Sequence, residues 1–339
     1  MKRIISLVLL ALLSLSLVAC GETPATTENV KFGAAVVVDE TTGTSATDAK
    51  NGAFEAVFNV AVVLVDKDGK IVACKIDVVD NTVNFTLTGE AVAAGEFKTK
   101  HELGTAYGMS TNPYATDING DGVVKEWNEQ ADILCAKVVG KTIDEVKAMV
   151  VEEGRGNADL QTAGCTIAIN GYVAAIEAAV KNATTEVSAN ATVSIGVVSE
   201  AEGTNATAEK NGSYEITANI VGMAKVDGKV AASYTTSVVA TGNFTNAGAY
   251  VDAKVEDKRL AGDSYGMATN PYSTDLNGDG VILEWYKQIE ALEALYVGKT
   301  ATEIAALVLE TSYGTEEVVN ADCTISIAGY VAAAVKAAQ

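Results

Sequence analysis

Two apolar runs rich in β-forming residues, Phe54–Leu64 (FEAVFNVAVVL) and Ile71–Val79, flank the polar segment Asp66-Lys67-Asp68-Gly69-Lys70. An Asp-Gly step between such runs predicts two strands joined by a turn. Phe85 and Leu87 predict a further short strand. Downstream the spacing of apolar positions changes. Val124, Trp127, Ala131, Leu134 and Val138 fall three and four residues apart, which predicts an amphipathic helix. Thr142 with Glu145, and Thr300 with Glu303, have capping-box spacing ahead of apolar helical segments, and Tyr172–Val180 begins a last helix. Strands followed by helices predict an α+β fold, an antiparallel sheet with two or three helices.

The pattern occurs twice. Tyr107-Gly108-Met109 recurs as Tyr265-Gly266-Met267, and the same offset of 158 relates Asn112-Pro113-Tyr114 to Asn270-Pro271-Tyr272. It also relates Glu126-Trp127 to Glu284-Trp285, Cys165-Thr166-Ile167 to Cys323-Thr324-Ile325, and Gly171-Tyr172 to Gly329-Tyr330. Upstream the offset loosens to 159–160: Lys50-Asn51-Gly52 matches Lys210-Asn211-Gly212, and Asp68-Gly69-Lys70 matches Asp227-Gly228-Lys229. Internal self-similarity of this length predicts two tandem homologous domains, 30–183 and 190–339, joined by the small polar segment 182–190.

Ahead of the repeat, Lys2 and Arg3 precede an apolar run, Ile4–Val18, which is too short for a retained membrane span and reads as an export signal. Leu17-Val18-Ala19-Cys20 resembles the lipobox of bacterial lipoproteins. That resemblance implies a signal peptide over 1–19, lipidation of Cys20, a tether over 20–29, and a protein held at the membrane on the extracytoplasmic face of the cell envelope. The 339 residues carry 24 Lys+Arg against 44 Asp+Glu, a net charge of −20, which argues against a nucleic-acid partner and against direct contact with anionic headgroups. The single histidine, His101, rules out His-based catalysis or His-ligated metal duplicated in each domain, and reads as an exposed polar residue.

Asp117-x-Asn119-x-Asp121-Gly122 places oxygen ligands at positions 1, 3 and 5 and a glycine at 6, and the same arrangement recurs over Asp275–Gly280. An EF-hand loop begins this way, but position 12 holds Asn128 and Tyr286 instead of a glutamate. Glu126 and Glu284 stand at position 10, a spacing that resembles the short calcium loops of the excalibur type. The expected Ca²⁺ ligands are Asp117, Asn119, Asp121, the Val123 carbonyl and Glu126, with Asp275, Asn277, Asp279, the Val281 carbonyl and Glu284 in the second copy. The alternative is an Asx turn that caps the following helix without metal.

Thr162-Ala163-Gly164-Cys165-Thr166-Ile167, and Asn320-Ala321-Asp322-Cys323-Thr324-Ile325 in the second copy, precede the final helix of each unit. They resemble the Ser/Thr-Gly-Ala-Thr mark of the FMN-binding domain found in the Rnf complex, the sodium-pumping NADH:quinone reductase and flavinylated lipoproteins. In that family the last threonine carries FMN through a phosphoester bond made by a flavin transferase. The resemblance implies Thr166 and Thr324 as attachment points, with Gly164, Cys165 and Cys323 beside the cofactor. It further implies an electron-transfer role between a membrane oxidoreductase and extracellular acceptors. Cys165 stands where the motif has alanine, and Asp322 replaces Gly164, placing a carboxylate that would repel phosphate near the second site. The alternative reading is a buried Cys-Thr junction in a calcium-stabilised surface module that binds a partner or serves as scaffold. Neither reading names a nucleophile–base pair, so a carrier or binding protein fits better than a catalyst.

Cys74 and Cys135 have Ser233 and Glu293 as counterparts. The sequence leaves open a disulfide or two free thiols. Cys165 and Cys323 also read as small core residues, and Trp127 and Trp285 as core anchors.

Overall fold

The computed structural model describes residues 29–112, 117, 120, 122–270, 273, 275, 277–278 and 280–339. The signal segment, Cys20, the tether up to residue 28, Asn119, Asp121 and Asp279 lie outside the described residues.

The protein is α+β. The first unit runs β1 (Val30–Thr44), β2 (Gly52–Val65), β3 (Ile71–Phe85), α1 (Lys100–Leu103), α2 (Trp127–Val138), α3 (Ile143–Lys147), α4 (Ala158–Thr162) and α5 (Asn170–Lys181). After β4 (Thr185–Val187), the second unit runs β5 (Thr192–Thr204), β6 (Gly212–Val226), β7 (Lys229–Phe244), β8 (Tyr250–Asp257), α6 (Lys258–Ala261), α7 (Trp285–Tyr296), α8 (Ala301–Ala305), α9 (Glu316–Val319) and α10 (Ala328–Ala338). Each unit thus has, among the described residues, the two long helices that the apolar spacing predicts, and three more α-helices of about a single turn. Among the described residues no helix is long and apolar enough to cross a membrane.

Both sheets are antiparallel and four-stranded, ordered β3-β2-β1-β4 and β5-β6-β7-β8. The three-strand meander is the duplicated part; the fourth strand differs. β4 lies inside the segment expected to be a linker and pairs with Val30–Phe32 at the edge of the first sheet. β1, whose small residues Gly33, Ala34 and Ala35 weaken its apolar pattern, is a second strand that the pattern does not announce. Conversely, no separate strand forms at Phe85 and Leu87: Phe85 ends β3 and Leu87 sits 40% exposed in the turn beyond it.

The β2–β3 turn explains part of the drifting offset. In unit one it closes with Asp66 Oδ1 accepting from Asp68 N (2.9 Å) and Lys70 N (2.8 Å). In unit two Val226 pairs directly with Lys229 across Asp227-Gly228, both at positive φ (52° and 75°), the two-residue hairpin geometry for which Asp-Gly is suited.

Strand residues alternate between two apolar surroundings. Ala61, Val63 and Val65 of β2 face the helices of their own unit, where they meet Trp127, Leu134, Ile176 and Ala179. Phe54, Phe58 and Val60 face the other sheet, in a cluster with Tyr214, Ile216, Ile220 and Phe244. The molecule is therefore four layers, helices–sheet–sheet–helices, with the two sheets back to back. That is why Val60–Val65 is buried throughout. Reciprocal hydrogen bonds mark the pseudo-two-fold relation: Ala46 N donates to Gly248 O and Ala206 N to Gly89 O, both at 2.7 Å.

Cys74 and Cys135 are unbridged. The neighbouring Cys135 thiol, together with burial, raises the Cys74 pKa well above its ordinary value. In unit two the same place holds Glu293, whose carboxylate pairs with Arg259 at 2.7 Å; burial nevertheless pushes Glu293 up to about 7.

Candidate functional site

The duplicated segments converge on one place in each unit, the start of the first long helix. Glu126 caps α2, and its backbone N donates to Glu129 at 2.9 Å. The Glu126 carboxylate turns back to the Tyr-Gly-Met segment: it accepts from Met109 N (2.9 Å), Ser110 N (3.2 Å) and the Ser110 hydroxyl. Those bonds, the hydroxyl foremost, hold its pKa below the usual carboxylate value. Glu284 repeats the arrangement with Met267 N (2.8 Å) and Ala268 N (3.1 Å). Each glutamate thus ties a loop to a helix start, through both of its oxygens.

A buried glutamine joins the remaining segments. Gln130, 1% exposed, donates from Nε2 to Lys125 O (2.8 Å) and to Met109 Sδ (3.2 Å). Its Oε1 accepts from Thr166 N (2.7 Å), Ile167 N (3.2 Å) and Thr166 Oγ1 (3.2 Å). Gln288 makes the corresponding bonds to Leu283 O (2.8 Å), Met267 Sδ (3.3 Å), Thr324 N (2.8 Å) and Thr324 Oγ1 (3.3 Å). Trp127 Nε1 donates to Tyr172 OH at 3.0 Å, and Trp285 Nε1 to Tyr330 OH at 3.1 Å, linking the Glu-Trp and Gly-Tyr segments. Both tryptophans are buried, as expected of core anchors.

The expected attachment residues, Thr166 and Thr324, are half-buried at the junctions that lead into α5 and α10. Cys165 and Cys323 are fully buried, and burial pushes both thiols up to about 12, so their side chains belong to the core. Gly164 has φ +93°, and Asp322 takes the same left-handed region at +62°. Aspartate tolerates that conformation better than most residues, which accounts for the exchange. The Asp322 carboxylate accepts from Asn277 Nδ2 at 2.7 Å and so faces the Asp-rich loop.

In unit two Thr324 lies on the wall of a cleft of about 330 Å³, together with Lys258, Tyr265, Trp285, Tyr313 and Tyr330. Asn270 and Ser273, from the stretch leading into the Asp-rich loop, line the same cleft. A pocket of this size with an aromatic wall and a few polar groups suits a small planar ligand.

In the Asp-rich loops, Asp117 accepts from Gly120 N (2.8 Å) and Gly122 N (2.7 Å), and Asp275 from Gly278 N (2.7 Å) and Gly280 N (2.8 Å). The first acidic residue of each loop therefore organises its turn. Among the described residues no three His, Cys, Asp or Glu side chains gather as a metal cluster. Val123 and Val281 are exposed. His101 is not simply exposed: it is half-buried, with Nε2 2.6 Å from Lys75 Nζ and 3.4 Å from Asp132 Oδ1.

The chain matches no protein-family model, no curated protein and no solved structure. Its chemistry is read from the site alone.

Sequence reasoning missed Gln130, Gln288, Lys100 and Lys258. The signal was present, since both pairs obey the 158-residue offset. Neither residue type belongs to a recognised motif.

Proposed function

We propose that this protein is an envelope-anchored flavin carrier, tethered through lipidated Cys20, that passes electrons from a membrane oxidoreductase to extracellular acceptors. The observation that carries this reading is the cleft beside Thr324, where a hydroxyl-bearing residue stands at the mouth of the closing helix next to three tyrosines and a tryptophan. A flavin there would supply the redox chemistry, and the chain its position and surroundings. Tyr265 and Tyr313 are the cleft's more accessible aromatic residues and offer ring faces to a planar system, and Lys258 offers a cationic group for a phosphate. Asp322, the residue that weighs against phosphate at this site, is engaged by Asn277. Thr166 has the same backbone and glutamine contacts and is the second attachment point.

Co-expression with a flavin transferase followed by denaturing electrophoresis tests the reading. A fluorescent band is expected from the wild type, and a dark one from the Thr166→Ala, Thr324→Ala double variant. A dark wild-type band would discard the carrier and leave a surface binding or scaffold module.

We also propose that the Asp-rich loops hold Ca²⁺, with Asp117, Asn119, Asp121 and the Val123 carbonyl, and their counterparts Asp275, Asn277, Asp279 and the Val281 carbonyl, as oxygen ligands. Glu126 and Glu284 complete the proposed ligand sets, their carboxylates oriented by the helix-start ties to the Met109–Ser110 and Met267–Ala268 backbone. At free calcium about ten times Kd each site would stabilise the folded chain by about 1.4 kcal/mol. A chelator is therefore expected to lower the melting temperature by several degrees, and Asp121→Ala with Asp279→Ala to remove that difference. Identical melts with and without chelator would end the assignment.

A further inference from the structure

We propose that Lys258 makes the unit-two cleft selective for planar ligands that bear a phosphate, so that it binds flavin mononucleotide in preference to unphosphorylated riboflavin; this rests on the flavin reading of the cleft. The two units differ in how they treat the lysine at this place. In unit one, Lys100 Nζ lies 3.0 Å from Asp80 Oδ2 and 5.1 Å from the centre of the Tyr107 ring. Burial opposes the charge most strongly, but Asp80 together with Tyr172 and Tyr107 outweighs it, and the Lys100 pKa is raised. In unit two the β7 residue aligned with Asp80 is Val239: Asp80 pairs with Val57 across β2–β3, and Val239 with Thr217 across β6–β7.

Lys258 consequently has its Nζ 5.6 Å from the Tyr265 ring centre, and among the described residues no carboxylate comes within ion-pair distance. Glu215 and Glu256 attract it from farther away, but burial prevails and its pKa is lowered. A partly desolvated ammonium without a counter-ion, on the wall of an aromatic cleft, favours an anion that supplies the missing charge. The neighbouring unit-one cation gives no equivalent. Arg155, which stands where unit two has Tyr313, donates to the Thr166 carbonyl at 2.8 Å and has Glu153 at 3.4 Å. The lysine-based preference for phosphate therefore belongs to unit two.

Titration of the full chain, purified without flavin transferase, with FMN and with riboflavin reads this out as flavin fluorescence quenching. FMN is expected to bind about ten-fold more tightly, the effect of one charge-assisted contact. Lys258→Met brings the ratio to one and Lys258→Arg preserves it. Val239→Asp, which gives unit two the carboxylate that unit one has, lowers it. Lys100→Met leaves it unchanged. A wild-type ratio near one, a ratio untouched by Lys258→Met, or no binding of either flavin overturns the inference. The covalently fluorescent band decides the flavin reading separately, so a fluorescent band with a ratio near one removes Lys258 from the site and leaves the carrier intact.

Discussion

Phe244→Ala is expected to destabilise the whole chain by about 3–5 kcal/mol, the range for removing a fully buried phenylalanine from a core that cannot collapse around the space. Phe244 is 1% exposed and stacks on Phe85 of the other unit, with ring centres 4.4 Å apart and planes 3° from parallel. Tyr214 closes the other side at 5.9 Å and anchors its hydroxyl on the Asn84 carbonyl of the first unit at 2.7 Å. The stacked contact to Phe85 is thus lost between units, and the tilted one to Tyr214 within unit two. Calorimetry should show one transition for the wild type and one, at lower temperature, for the variant. Phe85→Ala should do the same, and the double variant should cost less than the two singles together because they share one contact. Two separate transitions, only one of which moves in Phe244→Ala, would show that the sheets fold independently of their packing.

This shared core also explains what the sequence conveyed and what it did not. The runs over β2 and β3, the Asp-Gly turns, the capping boxes at Thr142 and Thr300 and the long helices α2 and α5 all depend on local spacing, and local spacing is legible in a chain. The face of β2 formed by Phe54, Phe58 and Val60 is equally visible as apolar, but nothing nearby in the chain says that a second sheet covers it. β1 and β4 were hidden for the same reason. Gly33 in β1 is small because α5 lies directly against it: a Cβ there would come 2.2 Å from the Ala179 carbonyl oxygen. Val187 of β4 is a single apolar residue in a polar stretch, buried by the inter-sheet contact.

At the candidate site, the repeat picked out segments that come together in the fold, without giving their contacts. Duplication of Tyr-Gly-Met, Glu-Trp and Cys-Thr-Ile pointed to a common purpose, and they do meet. Glu126 and Glu284, read as ends of a metal loop, accept from the backbone of the Met109 and Met267 turns. A carboxylate at a helix N-cap has several amide donors within reach, and spacing along the chain does not say which of them it takes. Gln130 and Gln288 were invisible because glutamine carries no catalytic or ligand signature. Their importance comes from burial and from the number of backbone groups that they satisfy.

That number sets the second large effect. Gln130→Leu keeps the volume and apolar contacts of the side chain but removes its amide, leaving Thr166 N, Ile167 N and Lys125 O without their partner. Each buried backbone group left unpaired costs about 1–3 kcal/mol, and water that enters beside half-buried Thr166 recovers part of it, so a net loss of roughly 3 kcal/mol is expected. Gln130→Glu should be nearly as harmful, since it retains an acceptor, loses the donor to Lys125 O and brings a charge into a site 1% exposed. The glutamine also fixes the turn that carries the threonine, so if flavin is attached as proposed, the variants should lose it at Thr166 at temperatures well below their melting point, while Thr324, held by Gln288, keeps its own. Chemical denaturation and flavin fluorescence of the separated peptides measure the two effects. A Gln130→Leu chain as stable as the wild type would mean that Thr166, Ile167 and Lys125 find other partners, and the glutamine would then lose its place as the organiser of the site.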